Sequence, residues 1–129
     1  MMKMVKYFIG TGGGFGSKRY DHQVIICSEI DLVNFQLVGE EWAIGDGAAK
    51  NAKSPEGPHI YKRDGWYYLM IAEGGTEHFH AVTISRSRKI SEPYENYEGN
   101  PILTHRHLGR NYPVCNVGHA DMMESINIE

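Results

Sequence analysis

Cysteine is scarce in this chain of 129 residues: there are two, Cys27 and Cys115. Two so far apart exclude a disulfide framework and a cysteine-built zinc cluster. Cys27 lies inside the apolar run Val24-Ile25-Ile26-Cys27 and reads as a buried thiol. Long apolar runs are lacking too. A helix that crosses a bilayer needs about 20 apolar residues, and no stretch comes near that. A secretory leader needs an apolar core of about 7–15 residues. Here Gly10-Thr11-Gly12 cuts off Tyr7-Phe8-Ile9. Lack of a leader favours the cytoplasm, with the compartment otherwise unassigned. The formal net charge of −3 is small. It gives neither nucleic acid nor an anionic membrane surface a reason to bind. Helical periodicity is also missing. The best candidate, Gly45 to Lys53, has three alanines but is interrupted by Gly45 and Gly47 and runs towards Pro55, so it reads as loop.

What is present suits a globular chain: 41 % apolar and 22 % charged residues. Tyr7 to Ile9 and Gln23 to Ile30 are rich in strand-forming residues. The glycine-rich stretch from Gly10 to Gly16 between them is too flexible for a regular element. His59 to Arg63 and Trp66 to Ile71 flank Asp64-Gly65. That pattern predicts a tight hairpin, because a type I′ turn needs positive φ at both central residues. Ala81 to Arg86 alternates apolar and polar residues, as a half-buried strand would. Pro93, Gly99 and Pro101 break the segment after it into loop. The chain is therefore predominantly antiparallel β, of the propeller or sandwich kind. A propeller blade takes roughly 40–50 residues. On that ruler the chain holds about two blades plus the start of another. On the propeller reading, residues 1–129 are expected to form one incomplete domain, with a blade boundary near 50–56 and a further blade beginning near 115.

The glycine stretch does not carry a nucleotide site. A dinucleotide fingerprint from Gly10 would need glycine where Phe15 stands, and a P-loop ending at Lys18 would need glycine at Ser17. His78 and His80, or His105 and His107, could share a strand face. No carboxylate completes a metal-ligand spacing around them. They read as packing or exposed side chains, and no metal is assigned. The richest segment is Ser54-Pro55-Glu56-Gly57-Pro58-His59-Ile60-Tyr61. Glu56 sits between two prolines, which fix their own φ and constrain the residue before them. A carboxyl held against apolar walls has its neutral form favoured, which is what a general acid needs. A loop glutamate on the surface is the plain alternative.

These residues resemble the family 43 glycoside hydrolases, in the β-xylosidase and α-L-arabinofuranosidase branch. The likeness runs through Glu56 to Tyr61, Ala72-Glu73-Gly74-Gly75-Thr76, and His80 to Ser87. It continues through Asn100 to Thr104 and Gly118-His119-Ala120-Asp121. The resemblance implies part of a five-bladed β-propeller that hydrolyses xylosyl or arabinofuranosyl linkages of plant hemicellulose with inversion. By the same resemblance Glu56 is the general acid and His119 lines the sugar pocket near the propeller axis. Glu73 to Thr76 forms the adjacent blade's loop, with Thr76 at the pocket rim. The substrate is then a small oligosaccharide. No cofactor is implied, although some relatives hold an ion such as calcium near the axis of the complete enzyme.

The family's base and orienting aspartates lie ahead of the acid motif. Asp21, Asp31 and Asp46 match neither position, so none is assigned. The expectation is a chain that is inactive by itself and self-associates through exposed blade edges. Two other readings stay open. One is a carbohydrate-binding propeller module that keeps His119 and does not use Glu56. The other is an unrelated all-β protein with metal-binding histidines.

Overall fold

The computed structural model describes residues 4–13, 22–49 and 52–125. Those residues form eight strands and no helix. The first sheet runs β1 (Tyr7–Gly13), β2 (Gln23–Asp31) and β3 (Gln36–Gly45) in antiparallel order. The second contains β4 (Glu56–Arg63), β5 (Trp66–Glu73), β6 (Ala81–Ser87) and the two-residue β7 (Glu95–Asn96). The short β8 (Leu103–Thr104) pairs with the start of β6.

The Asp64-Gly65 hairpin forms as its sequence requires, with φ of 51° and 80° at the two turn residues. Beyond the turn, Trp66 lies between the guanidinium groups of Arg86 and Arg88, 4.1 and 3.7 Å from its ring centroid. Each cation over a ring face adds up to about 1 kcal/mol at an exposed site.

Strand β1 runs further than the glycine content suggests. It pairs with β2 from Tyr7 through Gly13, while Gly14 to Gly16 lie outside the described residues. Ladder bonds to β2 offset the conformational entropy of the glycines. At Gly12 the missing side chain is useful, since a Cβ would come within 2.9 Å of Ile26. Strand β3 is absent from the sequence reading altogether. It is largely exposed and charged, and its register slips between Ser28 and Glu29, where Gly39 takes φ of 75°.

The core lies between the sheets. Ile25, Cys27 and Ile44 of the first meet Leu69 and Ile71 of the second, with Tyr94 from the following loop. Burial pushes the Cys27 thiol and the Tyr94 hydroxyl up from their ordinary values. Strand β6 is covered on both faces rather than half-buried, with Val82 at 1 % exposure on the face of Ile84. Thr83 and Ser85 pair with Ile71 and Leu69, so the small hydroxyl residues share their face and are buried. Ile84 pairs with Met70 on the opposite face, where it lines a groove of about 510 Å³ with Tyr68 and Ile102. The strand has an alternating pattern, but both of its faces are packed.

Candidate active site

Glu56 is the first residue of β4, and its position is built by backbone rather than by side-chain packing. Between Glu56 and His59 the strand advances three residues, while its partner advances two, from Ala72 to Met70. The extra residue is a bulge with Gly57 at φ of 55°. Bulges of this kind turn a strand and re-aim the side chain at its end. Ser54, before Pro55, is also left-handed, at φ of 50°. The residues preceding both prolines are thus held, but in the positive-φ region rather than in an extended one.

Pro55 is buried, and its carbonyl accepts two bonds from the first sheet. Gln23 Nε2 donates at 2.9 Å and Thr11 Oγ1 at 3.3 Å. Both lone pairs of that carbonyl are thereby used. The Glu56 side chain emerges 37 % exposed, and its near neighbour is His119, with Oε1 4.0 Å from Nδ1. An apolar wall was expected there, and the structure puts an imidazole in that place.

His119 approaches because Gly57 has no side chain: a Cβ there would lie 2.6 Å from Nε2. His119 has φ of 54° and its ring is 6.4 Å from that of His80, centroid to centroid. His80 is buried, bonded through Nδ1 to the Asn116 carbonyl, and its ring packs where a Cβ on Gly118 would sit. The glycine of Gly118-His119 is therefore required by the histidine 38 residues before it.

Thr76 stands apart. It is exposed in the turn after β5 and makes no hydrogen bond among the described residues. Gly74 N–H donates to the Lys53 carbonyl at 2.8 Å, which keeps that turn beside the segment leading to Glu56. Two corrections follow. Glu73 belongs to β5 and is 1 % exposed, so the loop begins at Gly74. The loop also belongs to the same sheet as Glu56, because the Asp64-Gly65 hairpin pairs β5 directly with β4.

A further cluster escaped the sequence reading. The Tyr61 hydroxyl donates to Asp121 Oδ1 at 2.5 Å and accepts from Met122 N–H at 2.8 Å. His59 Nδ1 lies 3.7 Å from the same carboxylate oxygen. His59 and Tyr61 are two apart on β4 and share a face, which was the available signal. The bond from Tyr61 holds the Asp121 carboxyl below its ordinary 3.8, against weak desolvation, with His59 adding to the lowering. Burial, then the Asp121 carboxylate, raises the Tyr61 hydroxyl. A depressed carboxyl stabilises the fold above pH 3.8 and loses that contribution as pH falls through its lowered value. Accordingly, Tyr61→Phe moves the Asp121 carbon titration midpoint in NMR upward towards 3.8. An unmoved midpoint would show that the tyrosine bond is not the cause.

Of the aspartates ahead of Glu56, Asp31 caps the β2–β3 turn, accepting from the Val33 and Asn34 amides. Asp46 pairs with His22 at 3.3 Å on the surface, and Asp21 lies outside the described residues. Among the described residues no three His, Cys, Asp or Glu side chains converge to hold a metal ion. The His105 ring is engaged instead with the Val114 carbonyl at 2.6 Å.

The sequence and the fold can be compared with known proteins. The family model for glycosyl hydrolases family 43 matches residues 7–128. A xylosidase/arabinosidase of Butyrivibrio fibrisolvens is 48 % identical over 122 residues, covering 94 % of this chain and 24 % of that protein. A putative β-xylosidase of Escherichia coli is 44 % identical over 120 residues, covering 93 % and 22 %. The chain therefore spans about a quarter of the length of these relatives. In structure it resembles xylan β-1,4-xylosidase from Bacillus halodurans, with a TM-score of 0.81 at 33 % identity, covering 94 % of this chain and 23 % of that one. Such family 43 enzymes are five-bladed β-propellers, and the two sheets correspond to part of one. With its match across nearly the whole sequence and its propeller sheets, the chain belongs to glycosyl hydrolases family 43.

Proposed function

We propose that this chain is the acid-bearing part of an inverting glycosidase that removes xylosyl or arabinofuranosyl units from plant hemicellulose. Glu56 is the general acid, His119 lines the sugar pocket, and Thr76 stands at the rim. The observation that carries this reading is the placement of Glu56. A bulge, two positive-φ residues and the doubly bonded Pro55 carbonyl fix its backbone, and the carboxyl emerges beside His119. The names of the relatives, xylosidase/arabinosidase and xylan β-1,4-xylosidase, support the substrate class.

In an inverting glycosidase one carboxylic acid protonates the leaving oxygen while an opposed carboxylate activates water. The two stand roughly 6.5–9.5 Å apart to admit that water. Glu56 supplies the first, and the partner aspartates come from elsewhere in the propeller. On this reading the 129-residue chain alone does not turn over substrate.

The test uses the protein encoded by the complete reading frame that contains this chain. It is given an aryl β-xyloside and an aryl α-L-arabinofuranoside, and the first-formed sugar anomer is read by proton NMR. The expected product has inverted configuration. A retained anomer, or no hydrolysis of either glycoside, would overturn the assignment.

A further inference from the structure

The end of β5 contains a buried carboxylate that the proposed chemistry does not use. Glu73 is 1 % exposed. Its Oε1 accepts from the Ala49 amide at 2.8 Å. Its Oε2 accepts from the Ala48 amide at 2.9 Å and from the Thr83 hydroxyl at 2.7 Å. Three donors thus converge on one buried side chain, and both of its oxygens are hydrogen-bonded. Gly47 takes φ of 111°, and a Cβ on it would lie 3.3 Å from Glu73 Oε2, so the loop is shaped to bring its amides onto the acid.

These contacts lie on one path. The chain passes from the first sheet to the second after Gly45 and enters the second at Glu56, and residues 46–49 and 52–55 of that link are described. Glu73 grips the early part of that link at residues 48 and 49, and the neighbouring Gly74 amide grips its later part at Lys53. Ala72, the residue before Glu73, is the strand partner of Glu56. The approach to Glu56 and the strand opposite it are thus anchored at the same point.

We propose that Glu73 is a positioning residue for the acid: its carboxylate holds residues 48 and 49, the neighbouring Gly74 amide holds Lys53, and together they set the place of the Glu56 carboxyl. This rests on the reading of Glu56 as general acid. Glutamine has the shape of glutamate but presents N–H groups on one side, so it must face at least one of the backbone donors with a donor.

The experiment compares an alkyl xyloside, whose leaving group needs a proton, with a dinitrophenyl xyloside, whose leaving group does not. Both are assayed with the protein of the complete reading frame, as wild type and as Glu73→Gln, Thr83→Val and Glu56→Gln. Glu73→Gln is expected to lower kcat on the alkyl substrate about 10- to 100-fold and on the dinitrophenyl substrate under about 3-fold, as a misplaced acid would. Hydrogen exchange at the Ala48 and Ala49 amides should quicken at least about 10-fold, with the Leu69 amide unchanged. An equal loss on both substrates, or no loss, overturns the positioning role. Should Glu73→Gln fail to fold, Thr83→Val decides, with the same selectivity expected at about 3- to 10-fold and a uniform loss overturning it. If Glu56→Gln itself strikes both substrates equally, the acid assignment falls and the positioning role falls with it.

Discussion

On the reading of Glu56 as general acid, Glu56→Gln in the protein of the complete reading frame is expected to lower kcat on an alkyl xyloside about 100- to 10,000-fold, the range for loss of such a group. The amide fills the same volume and leaves the Gly57 bulge and the Pro55 carbonyl bonds in place. What it cannot do is deliver a proton to the departing oxygen. The loss should therefore grow with the basicity of the leaving group and nearly vanish for dinitrophenol. KM should change little, because the sugar is held by other groups. The basic limb of the pH–rate profile, which reports deprotonation of the acid, should also disappear for activated substrates. Steady-state kinetics over a series of aryl and alkyl xylosides reads all three effects. A loss independent of the leaving group would place Glu56 in binding rather than in proton transfer.

Gly74→Ala should destabilise the fold by about 3–5 kcal/mol. Gly74 has φ of 88°, and a Cβ there would stand 2.1 Å from the Phe79 carbonyl oxygen and 2.8 Å from its carbon. That neighbour is backbone and cannot rotate away. Arg106 also donates to the same carbonyl, and its Nη2 would itself stand 3.0 Å from that Cβ. Relief requires rebuilding the turn from Gly74 to Phe79, which breaks the bond from the Gly74 amide to Lys53. Gly75→Ala supplies the internal control. Its φ is 78°, but its Cβ would meet little beyond Lys53 Cε at 3.6 Å. That change should cost only about 1–2 kcal/mol for the left-handed backbone. Urea midpoints of the two variants test the contrast. Equal shifts would mean that φ alone governs the turn and the carbonyl contact is unimportant.

The parts legible in the sequence were local ones. Asp64-Gly65 between two aromatic runs dictates its hairpin, because few dipeptides accept two positive φ values in succession. Val24 to Cys27 shows its burial directly in its composition. Glu56 between prolines stands out for the restraint it implies, but the structure sets the residues before both prolines in the positive-φ region and puts His119 where an apolar wall was expected. What stayed hidden depends on distant partners. Strand β3 carries two adjacent glutamates and exposed side chains, and it is a strand only because β2 offers a ladder. The hydroxyl residues of β6 are buried because their register partners are the core residues Leu69 and Ile71, and Thr83 bonds Glu73. Asp121 meets Tyr61 across sixty residues, and Glu73 meets the Ala48 and Ala49 amides across some two dozen. No short-range pattern encodes such meetings.

The Pro55 carbonyl has one more consequence. It belongs to the segment that opens the second sheet, yet both of its donors, Gln23 and Thr11, belong to the first. Glu56 is thus keyed to the seam between the two sheets rather than to either sheet. Sliding one sheet against the other moves the carboxyl with it, even while every strand stays intact. On the reading of Glu56 as general acid, alignment of the two sheets and readiness of the proton donor are one mechanical coordinate.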